Sequence, residues 1–143
     1  MHPAKSIYSY LAAAVLAVVT VFTFYVFQDF GPQSVIRRFH RDAVRADAND
    51  INAITTEGWN APETQWTVRF VQSLVGPNAS YEIVRVARVR GEVLAFVQYR
   101  LPSGEALWIA WHVRQGPNDW RIDCRRTLED YQGRLLGNQG VAR

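Results

Sequence analysis

Cysteine is almost missing from this chain: of 143 residues, only Cys124 carries a thiol. A lone thiol excludes an intrachain disulfide and any metal site built on a cysteine cluster. It reads as an inert small hydrophobe rather than a reactive group. Lysine is equally scarce. Lys5 is the only one, and the other 15 basic residues are arginine, a bias that a GC-rich genome writing Arg for Lys also produces. The three histidines, His2, His40 and His112, fit no metal-ligand spacing. No catalytic motif is present, so no catalytic residue, metal or cofactor is expected. Arg125-Arg126 could touch a phosphate, but arginines and aromatics do not cluster into a nucleic-acid signature, and no nucleic-acid partner is expected.

Charge is also missing from one long stretch. From Ser6 to Gln28 no residue is ionisable as Asp, Glu, Lys or Arg, and Ile7 to Phe27 is dominated by Leu, Ala, Val and aromatics. As a helix this run reaches about 30 Å, the thickness of a bilayer's hydrocarbon core. Tyr8 and Tyr10 at one end, and Tyr25, Phe27 and Phe30 at the other, suit the two headgroup boundaries. A cleavable signal peptide would end in small residues, whereas this run ends Tyr25-Val26-Phe27-Gln28-Asp29-Phe30. An uncleaved single-pass anchor over residues 1–30 is therefore expected. Lys5 and the α-amine flank one end, and Arg37, Arg38, Arg41 and Arg45 follow the other. The arginine count argues for a cytoplasmic domain and the short positive N-tail for an exported one. The exported, extracytoplasmic orientation is the one expected.

The remaining residues suffice for one modest domain, with 13% aromatics and five Trp in the chain to build a core. The net charge of +3 is mild, enough to favour an anionic lipid surface or an acidic partner. Gly31-Pro32 separates the anchor from a helix capped by Ser34, with Ile36, Phe39, Ala43 and Ala46 at helical spacing. Asp47 or Asn49 caps a second short helix through Ile51 and Ile54. Pro62 opens a third, with Trp66, Phe70 and Leu74 as its stripe, stopped by Gly76-Pro77. The period then drops to two. Four strands are expected, about Tyr81–Arg90, Val93–Leu101, Ala106–Arg114 and Trp120–Arg126, joined by tight turns and therefore antiparallel. The glycine-bearing tail, residues 131–143, is expected to be flexible. Asn78-Ala79-Ser80 forms a glycosylation sequon, a common chance match. The fold class is α+β: one transmembrane helix, then two to three helices packed on a curved four-stranded antiparallel sheet, the domain spanning residues 31–130.

Two-residue turns in the first two hairpins set a register in which opposed residues share a face. One face then carries Val84, Val86, Arg88, Ala95, Val97, Tyr99, Trp108, Ala110, His112, Trp120, Ile122 and Cys124, and is assigned to the core. Arg88, Tyr99, Trp108 and His112 on it are the candidate ligand pocket. The other face carries Phe96, Leu107, Ile109 and Trp111, fringed by Arg85, Arg100 and Arg121. It is the candidate partner surface. One shifted bulge would scramble both lists.

Helices followed by an antiparallel meander, with the Phe39-His40-Arg41-Asp42-Ala43 helix and the closing Asp119-Trp120-Arg121-Ile122 strand, resemble the nuclear transport factor 2-like superfamily over roughly residues 33–129. That family is a cone-shaped α+β fold whose members include isomerases, small-ligand binders and non-catalytic assembly modules. It usually has a short extra strand between its second and third helices, which only Thr55–Trp59 could supply here. The layout is also similar to the anchored assembly factor of type IV secretion systems, whose Asn-Pro-x-Gly signature is absent. Gly76-Pro77-Asn78 does not match it. A membrane anchor, no catalytic motif and an apolar sheet face together lead to the expectation of a non-catalytic accessory or assembly subunit of a larger membrane complex. Its partners would be other membrane subunits, a second copy and the lipid bilayer. A small-ligand-binding or isomerase-like domain using the cone cavity is the alternative.

Overall fold

A computed structural model describes residues 3–75 and 80–139, with side chains placed for 7–25, 31–75 and 80–137. The Gly76-Pro77 stop, Asn78 of the sequon, the Phe27 and Phe30 side chains and the last four residues lie outside what is described. The chain is α+β, with five helices and one four-stranded antiparallel sheet among these residues.

Helix α1 (Pro3–Phe30) forms because 28 residues pass without an interior glycine or proline. Within it Ile7–Tyr25 has a mean hydropathy of 2.0 and is wholly uncovered by the rest of the chain. It is long and apolar enough to cross a membrane. Tyr8, Tyr10 and Tyr25 project from it exposed. Gly31 breaks the helix with extended backbone, and Pro32 restarts it as α2 (Pro32–Arg45). Proline is harmless in a first turn, so α2 begins two residues before the expected Ser34 cap. The Ser34 hydroxyl instead bonds the Gly31 carbonyl. Val35, Ile36, Phe39, His40 and Ala43 form the buried stripe of α2.

Helix α3 (Ala48–Ile54) is capped by Asp47, whose carboxylate accepts the Asp50 amide as expected. Helix α4 (Pro62–Leu74) starts at its proline. Its fully buried side is Thr64, Thr67, Val68 and Val71. The expected stripe of Trp66, Phe70 and Leu74 is only partly covered. Trp66 stacks on Phe70 at 5.0 Å, and both lean on Tyr131. The aromatics of α4 thus meet another helix rather than the sheet.

The sheet runs in the order β1 (Ser80–Val89), β2 (Glu92–Arg100), β3 (Ala106–Gln115), β4 (Trp120–Ile122). Arg90 and Gly91 both have positive φ and make the two-residue turn between β1 and β2. A bulge between Ile83 and Arg85 flips the first half of β1. Tyr81 and Ile83 therefore face inward with Tyr99 and Val97, and Val84 does not, contrary to expectation.

The decisive correction is at the second hairpin. Leu101 and Glu105 close a three-residue loop, Pro102-Ser103-Gly104, with Gly104 at φ +87. A two-residue loop was expected. The extra residue shifts β3 by one, and in a strand one residue is one face. Ala95 now opposes Trp111, Val97 opposes Ile109, and Tyr99 opposes Leu107. Trp111 and Ile109 are buried, with Leu107 half-buried beside them, so none of the three belongs to the outer face. Trp108, Ala110 and His112 take that face instead, opposite Gln98, Phe96 and Leu94. Between β3 and β4 the pairing differs by one residue the other way, Gln115 opposing Trp120. The two differences cancel, so Trp120 and Ile122 remain inward as expected.

The fourth strand is shorter than expected. Asp123 accepts the Arg126 amide, and Glu57 accepts the amides of Cys124 and Arg125. Carboxylates on these free amides nucleate α5 (Cys124–Gln139). Residues 131–139, expected as a flexible tail, are helical. Helix α5 runs along β3 beyond the end of β4, where Thr127 Oγ1 accepts the His112 amide and covers an otherwise open edge.

Candidate functional site

The space under the sheet, where a cone fold would open a pocket, is filled. His40 Nδ1 lies 2.7 Å from the Ile36 carbonyl, which can only accept, so that nitrogen carries the proton. His40 Nε2 then accepts from the Tyr99 hydroxyl at 2.6 Å, and that hydroxyl accepts from Trp111 Nε1 at 2.9 Å. The side-chain polar atoms of His40, Tyr99 and Trp111 are thus all hydrogen-bonded. The rings are packed as tightly: His40 stacks on Tyr81 at 4.2 Å, and Phe39 lies 5.3 Å from Trp111. Burial lowers the His40 pKa to about 4, opposed by its bond to the Ile36 carbonyl, and burial raises that of Tyr99. A lone histidine on a helix is by default a surface residue, whereas His40 is buried. The signal that would have placed it inside is its spacing: Ile36, Phe39, His40 and Ala43 fall on one helical stripe.

Of the four candidate pocket residues, Arg88 and His112 line one shallow hollow of about 350 Å³ at the end of the sheet. Tyr99 is in the core, and Trp108 is exposed on the outer face. His112 is 14% exposed and makes no ring hydrogen bond. Its Nδ1 lies 3.4 Å from a Glu92 oxygen and its Nε2 3.7 Å from an Asp130 oxygen. Arg126 pairs with Glu92, and Arg114 with Asp123 at 2.8 Å. These pairs tie β2, β3 and α5 together, so the carboxylates in the hollow already have cationic partners. Cys124 is buried against α4, and burial together with the nearby Glu57 pushes its thiol up to about 12. It carries no thiolate at neutral pH.

The outer face of the sheet is the remaining feature. Leu94, Phe96, Trp108 and Ala110 lie together on it, with Trp108 47% exposed. Arg85 opposes Phe96 on β1, Arg100 ends β2, and Arg121 follows on β4, all exposed. Of the residues expected on this face, Phe96, Arg85, Arg100 and Arg121 lie on it, and Leu107, Ile109 and Trp111 do not. Trp108 replaces Trp111 as its exposed aromatic.

No family model, curated protein or solved structure matches this chain. Function therefore rests on the geometry of the chain itself.

Proposed function

We propose that the chain is a non-catalytic accessory or assembly subunit of a larger membrane complex, anchored by α1. The observation that carries this reading is the uncovered apolar surface of Ile7–Tyr25. A helix apolar on every side needs lipid or other helices around it. The outer sheet face, with Trp108 and Phe96 fringed by arginines, supports a second contact, made to a partner that is apolar at its centre and acidic at its rim. A small-ligand or isomerase role has less support, because Phe39, His40, Tyr99 and Trp111 occupy the space such a ligand would need.

Membership of the nuclear transport factor 2-like superfamily belongs to the same proposal. It is supported by helices preceding an antiparallel meander, and by Thr55, which makes an isolated parallel bridge to Ile122. That bridge stands where the family's short extra strand would be.

The test is purification of the full-length protein in mild detergent after cross-linking in native membranes. Defined partner subunits or a dimer should be recovered, and Trp108→Ala should weaken that recovery. A wild-type protein that runs only as a monomer and brings down nothing overturns the reading. Protease protection in sealed vesicles tests the side of the membrane, with the domain expected on the extracytoplasmic face.

A further inference from the structure

A cleft on the domain lies one helical turn beyond the point where α1 ends. It encloses about 750 Å³ between α2 and the turn joining β3 to β4. Ser34, Arg37, Arg38 and Arg41 line one wall. Their spacing of three, four and seven residues puts them on one stripe of α2. The opposite wall is the turn from Gly116 to Asp119, closed by the Gly116 amide on the Asp119 carbonyl, with Trp120 beside it.

The charges in this cleft are unevenly matched. Arg38 reaches Asp42 and Asp50, and Arg41 pairs with Asp42 at 2.9 Å. Asp119, the one carboxylate lining the cleft, lies 3.6 Å from Arg121 outside it. Among the described residues, Arg37 has the neutral Gln33 amide at 3.3 Å and no carboxylate within ion-pair distance. Among the described residues, one guanidinium therefore faces the cleft without a carboxylate partner, flanked by two that share Asp42 and Asp50.

The covalent path fixes where this charge sits. Arg37 is five residues beyond Pro32, about 7.5 Å of helical rise. Helical side chains lean toward the N-terminus of their helix, so the α2 arginines lean back toward α1. Headgroup layers are about 5–8 Å thick on each side of the hydrocarbon core. Placing the headgroup layer at the Gly31 junction brings these guanidiniums within side-chain reach of its phosphates. Trp120 and Pro117 supply an amphipathic wall of the kind found at that depth.

We infer that this cleft is a binding site for the headgroup of an anionic phospholipid, held by Arg37 with Arg38 and Arg41. The bound lipid would fix how the domain sits on the bilayer. The inference rests on the anchoring role of α1, and the two are separable by experiment.

The full-length protein is reconstituted into phosphatidylcholine vesicles carrying a trace of spin-labelled phosphatidylglycerol or spin-labelled phosphatidylcholine. The motionally restricted fraction of each label is measured by electron paramagnetic resonance. A preference for phosphatidylglycerol of about five-fold per engaged arginine is expected, weakening as salt is added. Arg37→Gln should lower it about five-fold. So should Asn118→Glu, which places a negative charge on the opposite, exposed wall without touching α2. Both variants should melt with the wild type. A protein that resists carbonate extraction yet shows no preference, or variants that keep it, overturns the lipid site and leaves the anchor standing. A protein extracted by carbonate removes the anchor reading and the lipid site with it. Loss of the preference on adding millimolar inorganic phosphate assigns the cleft to a free anion and overturns the lipid assignment.

Discussion

Tyr99 uses its single hydroxyl twice, donating to His40 and accepting from Trp111. Tyr99→Phe keeps the ring but leaves a buried indole N–H and a buried imidazole nitrogen unpaired. It should cost about 1–3 kcal/mol, read from the midpoint of chemical denaturation. His40 adds a pH dependence whose sign follows from its lowered pKa. The unfolded chain takes up a proton near 6.5, while the folded chain resists until about 4. The stability that His40 confers is present above 6.5 and is lost as pH falls toward 4. The loss should total roughly 3 kcal/mol, and the difference between wild type and His40→Gln across that window isolates it from the carboxylates. Cys124 belongs to the same scale. With its thiol buried and its pKa near 12, it should resist iodoacetamide in the native state and react only after unfolding. Mass spectrometry of the alkylated protein reads that directly.

At the scale of elements, one loop residue decides which tryptophan is inside. The loop Pro102-Ser103-Gly104 sets β3 so that Trp111 packs beneath α2 and Trp108 faces out. Trp111→Ala should therefore lower stability by about 3–5 kcal/mol as a core truncation. Trp108→Ala should leave the melting temperature nearly unchanged and act on association instead. Comparing the two variants by thermal melting and by association state tests the register itself. Gly104 is strained for any other residue by its φ of +87, while a Cβ there would meet nothing within 4 Å. Gly104→Ala should therefore cost about 1 kcal/mol, from backbone conformation alone. The start of α5 depends on Glu57, which caps it from another part of the chain. That is why a helix appears where strand and loose tail were expected: the deciding carboxylate is 67 residues away in sequence.

For the whole molecule, α1 meets α2 at the Gly31 junction, and Ile7–Tyr25 is wholly uncovered by the rest of the described chain. A chain starting at residue 31 should keep the folded domain, with unchanged amide dispersion by NMR, and should no longer sediment with membranes. The domain holds together through α2, which contacts β1, β2, β4, α3 and α4. Its polar interior chain, from Ile36 through His40 and Tyr99 to Trp111, links that helix to two strands by directional bonds. Such a satisfied network specifies one packing more narrowly than apolar contact does.

The sequence by itself determined what depends on runs and spacings. The uncharged stretch from Ser6 to Gln28 makes a helix apolar on all sides. Pro32 and Pro62 open helices, Asp47 caps one, and the change of period at about residue 80 marks the start of the sheet. These are local properties, decided within a few residues by backbone geometry and solvation. What the tertiary structure alone decided were matters of relative position. The loop around Gly104 and the bulge at Val84 set which face each strand presents, because alternation turns a one-residue offset into a full inversion. Helix α5 needed Glu57, and the burial of His40 needed Tyr81, Tyr99 and Trp111 to surround it. The candidate sites followed the same division. The arginine fringe of the outer face was legible from composition and alternation, whereas the exchange of Trp111 for Trp108 and the cleft between Arg37 and Asn118 required the strands and helices to be brought together.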